Sequence, residues 1–387
     1  MVKIATLNKI SPAGLNRFPK NHFEITEQLD EANGILVRSQ KMLDMDFSDQ
    51  LYAIGRAGVG FNNIPIDRCA EEGIVVFNTP GANANGVKEL VIGGMLLAIR
   101  HILPATDWAS SLEDAGDLTV EKQTEKGKSQ FKGSDLMGKT IGVVGLGGIG
   151  GMVANVCVDL GMTVYGYDPF ISTHNAHRLY QEVQLVQNMN DMLPFCDFLT
   201  VHLHANADTN GMIDTSVLSA LKTGAILLNY SRASIVDFKS VKSALESGKI
   251  SAYVTDFPTA DVLTLPHTIV TPHLGASTDE AEDNCAIMAA NELIDYFENG
   301  NIVNSVNYPR ITLGARRDQT RLSFLTKGID SPVDTIINAL KYSPDDIHIN
   351  QVNGGTRGDF GYVLISTDSD VSKLPEIEGV IRSRIIH

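Results

Sequence analysis

Thr140–Val144, an apolar run with strand character, leads straight into Gly145-Leu146-Gly147-Gly148-Ile149-Gly150, and these glycines open an apolar helical stretch. The next strand-like segment, Thr163–Tyr167, is followed at once by Asp168, eighteen positions after Gly150. Few folds accommodate that order of parts. The first glycine permits a tight turn, the second a close approach of backbone to ligand, and the third close packing of helix on strand. The helix N-terminus offers free N–H groups to an anion such as a pyrophosphate. An acid at the end of the second strand can accept both hydroxyls of a ribose and repels a 2′-phosphate. The pattern predicts a Rossmann-type dinucleotide site for NAD, built on Gly145, Gly147, Gly148, Ile149, Gly150 and Asp168. The plainer alternative is a glycine-rich turn in a similar fold that binds something else.

The rest of the chain agrees with an α/β class. Strand candidates Val2–Leu7, Gly34–Val37, Ala53–Arg56 and Ile74–Phe77 precede a helix over Gly86–Arg100. Residues 105–135 are polar and weakly periodic apart from Trp108, and read as an exposed arm or a linker. Strand signals then return at Phe198–Leu203, Ala225–Leu228, Ala252–Thr255 and Thr268–Val270, followed by a long amphipathic helix over Asp279–Asn299. Strands separated by helix-length segments imply parallel sheets covered by helices on both faces. The tail reads differently: strand Arg321–Leu325, helix Pro332–Lys341, strand Asp346–Asn353, strand Phe360–Ser366, helix from Val371–Leu374 onward, strand Val380–Ile386. Turns at Asn353-Gly354-Gly355 and Gly358-Asp359 separate the middle strands. That βαββαβ order is ferredoxin-like. The expected architecture is two doubly wound parallel-sheet domains plus a small C-terminal α+β domain. Expected boundaries are 1–98 with 285–310, then 99–284, then 318–387.

Charge narrows the partners. With 31 Lys and Arg against 46 Asp and Glu, the 387-residue chain carries a net charge of −15, which disfavours nucleic acid and anionic membranes. A small anionic substrate is compatible, because charges beyond ~8 Å are screened at physiological salt. No apolar run approaches the ~18 residues of a membrane span. The four cysteines, Cys69, Cys157, Cys196 and Cys285, form no CxxC pair; reduced thiols and a cytoplasmic location are expected.

Three clusters follow strands downstream of the glycines: Asn229-Tyr230-Ser231-Arg232, Asp256-Phe257-Pro258-Thr259-Ala260-Asp261 and Thr271-Pro272-His273-Leu274-Gly275. Open α/β sheets place their ligands just beyond the carboxyl ends of strands. Together the clusters supply a cation, two carboxylates and a histidine. Hydride transfer from a hydroxyl carbon needs such a set: a base for the O–H proton, a cation for the substrate carboxylate, and an acid that orients the histidine. Lys88, on the helix after Asn83, could reach a substrate phosphate or simply be solvated. His202 and His204 alternate on one strand face, but without a third ligand they predict no metal.

These motifs, together with Val37-Arg38-Ser39, Gly55-Arg56-Ala57-Gly58-Val59-Gly60 and Asn78-Thr79-Pro80-Gly81-Ala82-Asn83, resemble the D-isomer-specific 2-hydroxyacid dehydrogenases over residues 1 to about 310. The tail resembles an ACT domain, a regulatory or assembly module. The resemblance implies that His273 transfers the proton, Arg232 grips the substrate, and Asp256 binds the nicotinamide carboxamide, with Tyr230, Ser231 and Arg232 lining the nicotinamide side. It also implies that Arg38, Ser39, Asn83 and the backbone of Arg56, Ala57, Gly58 and Val59 hold the substrate carboxylate or phosphate. The implied reaction is NAD-dependent oxidation of 3-phospho-D-glycerate in serine synthesis, by a homodimer or homotetramer. Reduction of glyoxylate or hydroxypyruvate by the same residues is an alternative, as is an NAD-sensing binding protein, which would need no proton-transfer residue. Four positions depart from the family pattern. Asp261 stands near the usual Glu that partners the histidine, Ala233-Ser234 replace Gly-Gly, His204 occupies a position often held by proline, and Asp330-Ser331-Pro332-Val333 stand where the tail of the serine-binding form usually carries Pro-Gly. Positive φ at Ala233 or Ser234 would carry strain.

Overall fold

The structure, a computed structural model, describes residues 1–387 other than Asp117, Ser343, Pro344 and Asp346. Two compact units share the chain: Met1–Asn83 with Asp279–His387, and Ala84–Thr278.

In the first unit, β1 (Val2–Leu7), β2 (Phe23–Thr26), β3 (Gly34–Val37), β4 (Ala53–Arg56) and β5 (Val75–Phe77) form a parallel sheet in the order β2-β1-β3-β4-β5. β3 is buried along its whole length, as helix-covered strands are. β2 was not legible as a strand: it has four residues, with Glu24 and Ile25 exposed and only Phe23 in the core. The helix Asp279–Asn299 returns to this sheet, its Ala286, Ala289, Ala290 and Leu293 packing with Leu36, Ala53 and Phe77.

The second unit holds β6 (Thr140–Val144), β7 (Thr163–Tyr167), β8 (Gln184–Leu185), β9 (Phe198–Val201), β10 (Ala225–Asn229), β11 (Ile250–Thr255) and β12 (Thr268–Val270), in the order β12-β11-β10-β9-β6-β7-β8. Every pair is parallel. The chain leaves β6 toward β7 on one side and resumes at β9 on the other. That reversal is the switch point at which doubly wound sheets bind dinucleotides. The helix Ala84–Ile99 belongs here and not with the N-terminal sheet, so the first cut falls after Asn83 instead of 98. The cause is packing: Val87, Val91 and Met95 share a core with Ile141, Val143, Phe198 and Leu228. Within 105–135, helices Ile102–Ser110 and Val120–Gly127 form, and Trp108 packs on Phe131 with ring centroids 5.3 Å apart. Asp117 of that segment lies outside the described residues.

The tail contributes β13 (Thr320–Lys327), β14 (Ile349–Arg357), β15 (Phe360–Thr367) and β16 (Val380–Ile386), antiparallel in the order β14-β15-β13-β16. That is the ferredoxin-like strand order, with the helix Pro332–Leu340 on one face. Asp346, the expected start of the second strand, lies outside the described residues. Gly354 and Gly355 are not a turn; they lie inside β14, paired with Val363 and Tyr362. A Cβ on Gly354 would stand 2.5 Å from Val333 Cγ2, so glycine lets the helix approach the strand. The second tail helix expected from Val371 is absent. Residues 368–378 run as a loop, held where the Asp345 carboxylate accepts from Ser372 N at 2.9 Å. Val371, Leu374 and Ile377 still cover the sheet from that loop.

The other tail face docks within its own unit. Arg384 stacks 4.1 Å from the Tyr296 ring centroid, Arg382 lies 4.8 Å from that of Tyr52, and the Tyr362 hydroxyl donates to Gly300 O at 2.6 Å. Cation–π pairs and a buried hydrogen bond make this a built joint. Among the described residues no helix is long and apolar enough to cross a membrane, and no three His, Cys, Asp or Glu side chains cluster as metal ligands.

Candidate active site

Gly145 takes φ +87, which glycine adopts without steric cost, and a Cβ there would meet His202 O at 2.5 Å. The helix Gly148–Asp159 follows, with Gly147 as an N-cap that offers no side-chain hydrogen bond. Its first N–H groups are therefore free for an anion. Asp168 Oδ2 accepts from Leu146 N at 2.9 Å and Oδ1 from Phe170 N at 3.0 Å, which fixes the acid beside the glycine turn. Each carboxylate oxygen keeps a further lone pair for a ribose hydroxyl.

Asp256 organises the chemistry at the end of β11. Its backbone carbonyl accepts from His273 N at 2.9 Å, and its Oδ2 accepts from Gly275 N at 3.2 Å. Its Oδ1 is buried with no hydrogen-bond partner. Burial pushes this carboxyl up, against the pull of the Gly275 amide and the His273 and Arg232 charges. A buried, unpartnered carboxylate oxygen is costly unless a donor meets it, and a carboxamide N–H is a suitable donor.

His273 has φ +49, in the left-handed region, and its ring is exposed. Strain of this kind concentrates at functional sites. Phe257 meets the imidazole edge-on, with centroids 5.1 Å apart at 67°. Arg232 is exposed and extended; its Nη1 donates to Ser231 O at 2.7 Å. Asn229 steadies that turn, accepting from Ser231 N at 3.1 Å and donating to Arg232 O at 2.9 Å. Ser231 Oγ donates to Val201 O at 2.6 Å, tying the turn to β9. Tyr230 is buried beneath it, with its hydroxyl pushed up by burial. Neither Ala233 nor Ser234 has a positive φ; both enter a 3₁₀ turn, so the expected strain is missing.

The structure thus brings together Tyr230, Ser231, Arg232, Asp256 and His273, and it does not bring Asp261 to them. Among the described contacts no hydrogen bond or ion pair joins Asp261 to His273; the residue stands at the start of the 3₁₀ turn Val262–Thr264 without a side-chain capping bond, and its carbonyl accepts from Thr264 Oγ1. Lys88 Nζ donates to Asn85 Oδ1 at 2.6 Å on its own helix. His202 bonds Thr200 Oγ1 at 3.0 Å, and burial pushes it down to about 3. His204 is exposed. Phe257 and Asn229 are the supports that sequence reading missed; an aromatic directly after Asp256 was the available signal for the first.

The other residues expected at the substrate lie in the first unit. Arg38 pairs with Glu282 at 2.7 Å while Asn8 Oδ1 accepts from Ser39 N at 3.1 Å. The Arg56–Val59 loop is pinned where Gly58 O accepts from Thr79 N at 3.1 Å and Val59 O accepts from Asn78 Nδ2 at 2.7 Å. Asn83 Oδ1 is buried without a partner, an acceptor available to a ligand hydroxyl.

A glycine turn at the switch point, an acid on the second strand, and a histidine and arginine past later strands define a nucleotide-dependent dehydrogenase class. Residues 93–275 match the family model described as D-isomer specific 2-hydroxyacid dehydrogenase, NAD binding domain. A D-3-phosphoglycerate dehydrogenase of Escherichia coli is 30% identical over 385 residues, spanning 94% of this chain and 89% of the relative. The chain belongs to the D-isomer specific 2-hydroxyacid dehydrogenases. The enzyme of the same name from Methanocaldococcus jannaschii is 36% identical over 303 residues, 75% of this chain but 55% of the relative, so the chain spans about half of that protein. An NAD⁺-bound 3-phosphoglycerate dehydrogenase structure from Entamoeba histolytica aligns with TM-score 0.61 and 27% identity, over 79% of this chain and 98% of that one.

Proposed function

We propose that the chain oxidises 3-phospho-D-glycerate to 3-phosphohydroxypyruvate with NAD, the entry step to serine. The observation that carries this reading is the Asp256 junction. One residue holds His273 by its backbone and keeps a buried carboxylate oxygen for a carboxamide, with Arg232 within electrostatic reach. The E. coli relative, matched over most of both chains, supports the substrate. NAD, when bound, accepts the hydride. His273 takes the hydroxyl proton as the carbonyl forms, and Arg232 holds the carboxylate and stabilises charge on the developing carbonyl oxygen. Gly145–Gly150 would hold the pyrophosphate, Asp168 the ribose and Asp256 the carboxamide. Arg38, Ser39, Arg56–Val59 and Asn83 supply a cradle for a substrate oxyanion. The ratio of kcat/KM for phosphorylated over unphosphorylated D-2-hydroxyacids tests the substrate and is expected to exceed ~100, the worth of two charge-assisted hydrogen bonds. A ratio below one overturns the substrate while leaving the reaction class intact.

The imidazole is oriented by an aromatic ring in this reading, and Asp261 is a lesser contributor. Phe257→Ala is expected to lower kcat by about 10-fold with rescue by Phe257→Tyr, whereas Asp261→Asn stays within ~3-fold, since a lost edge contact is worth ~1 kcal/mol. A larger loss in Asp261→Asn than in Phe257→Ala would restore the acid as the partner of His273. A homodimer or homotetramer in the cytoplasm completes the proposal. Leu118, 47% exposed within the 105–135 segment, and Ile102 and Leu103, 41% and 45% exposed just before it, support a contact there, and the four unpaired cysteines fit a reducing compartment. The tail is proposed as a regulatory module.

A further inference from the structure

A cleft of about 500 Å³ in the first unit joins three stretches distant in sequence: the Asn78–Pro80 turn, residues 303–310, and Thr356-Arg357 at the end of β14. Its volume falls in the range of small-molecule sites, ~300–1,000 Å³. Two arginines line it, and no carboxylate does. Arg310 makes no hydrogen bond or ion pair among the described contacts. Arg357 has Nη1 fixed by donation to Ser305 O at 2.8 Å, which positions the guanidinium and leaves its other donors unspent. Arg38 and Arg68, by contrast, are paired with Glu282 and Glu72. In a chain of net charge −15, two arginines with no ion pair on one cleft, Glu292 acting on Arg310 only as a more distant charge, are a local reversal of sign. Tyr308 and the two prolines, Pro80 and Pro309, give it apolar walls, and Tyr308 is locked by its hydroxyl donating to Ala70 O at 2.6 Å.

We infer that this cleft binds a small organic dianion, a phosphate monoester or a dicarboxylate, between the two guanidinium groups. Guanidinium forks match both oxyanions bidentately. An occupant would fasten the tail hairpin to the Asn78–Pro80 turn, five residues or fewer before Asn83. The tail then reports effector concentration to a loop of the anion cradle. The binding itself does not rest on the catalytic reading, although its regulatory meaning does.

Calorimetric titration of the full chain with inorganic phosphate, and separately with succinate, at constant ionic strength tests the site and separates the two chemistries. Wild type is expected to show a saturable site for at least one probe, weakened 10-fold or more in Arg310→Gln and in Arg357→Gln and retained in Arg38→Gln. Arg310 holds no structural hydrogen bond, so Arg310→Gln keeps the wild-type melting temperature and separates lost binding from lost folding. Arg357→Lys, which keeps the charge but not the fork, should bind with intermediate affinity. With the favoured probe bound, amide exchange over residues 78–83 slows in wild type only. Equal binding by wild type and Arg310→Gln, binding lost only in Arg38→Gln, or no saturable binding of either probe overturns the inference.

Discussion

Replacing His273 by asparagine is expected to lower kcat for 2-hydroxyacid oxidation by roughly 10²–10⁴-fold, the usual worth of general acid–base catalysis. In barrier terms that is about 3–5 kcal/mol. Asparagine is the informative choice because His273 sits at φ +49, and asparagine tolerates the left-handed region better than alanine does. The ring is exposed and its backbone N–H bonds to Asp256 O and Thr271 O are available to any residue but proline, so folding should be unaffected. NADH affinity, read by fluorescence titration, should stay within about threefold of wild type, because neither the glycine turn nor Asp256 loses a hydrogen bond. Turnover within tenfold of wild type would remove His273 as the proton carrier. A wild type that binds NADH but oxidises no 2-hydroxyacid would point instead to a nucleotide sensor on the same scaffold.

The parts of this molecule legible in its sequence are those fixed by local chemistry. Continuous apolar runs such as Phe198–Val201 announce strands buried on both faces, and the glycine spacing announces a turn whose backbone has no alternative residue. Elements whose stability is not local were missed. β2 places one residue in the core, and the two-residue edge strand β8 is exposed throughout, so neither carries a hydrophobic period. The tail helix expected from Val371 has the apolar spacing, but the Asp345 carboxylate binds the Ser372 amide and Pro375 follows, which together favour a loop.

The candidate site divides along the same line. Counting residues places Asp256, Arg232 and His273 just past strand ends, and strand ends are where a parallel sheet gathers them. Counting cannot tell that His273 turns through a positive φ, and that turn sets the ring against Phe257. Likewise Asp261 falls near the expected acid position by spacing, yet it stands at the start of a 3₁₀ turn with no described hydrogen bond to the imidazole. Contacts between two loops depend on both backbones at once, and a linear motif reports only one of them.

The sharpest separation of fold from cofactor binding comes from two glycines three positions apart. Gly147 has φ −69, an ordinary conformation for any residue, and no atom lies within 4 Å of where a Cβ would stand. Gly147→Ala should therefore fold as wild type, with a melting temperature within ~1 °C. The added methyl instead occupies the open space at the helix N-terminus, where a pyrophosphate needs the backbone close. NADH affinity is expected to fall 10-fold or more, at least ~1.4 kcal/mol. Gly150 is the converse. A Cβ there would collide with the Gly145 carbonyl, a backbone atom that cannot swing aside. Gly150→Ala should cost ~1–3 kcal/mol or more of stability through overpacking, seen as a lower melting temperature, and lose NADH binding with it. If Gly147→Ala binds NADH as wild type does, the phosphates do not sit on this turn, and the nucleotide must be sought elsewhere on the sheet. If Gly147→Ala melts early as well, the two glycines serve packing alone, and the free helix N-terminus loses its reading as an anion site.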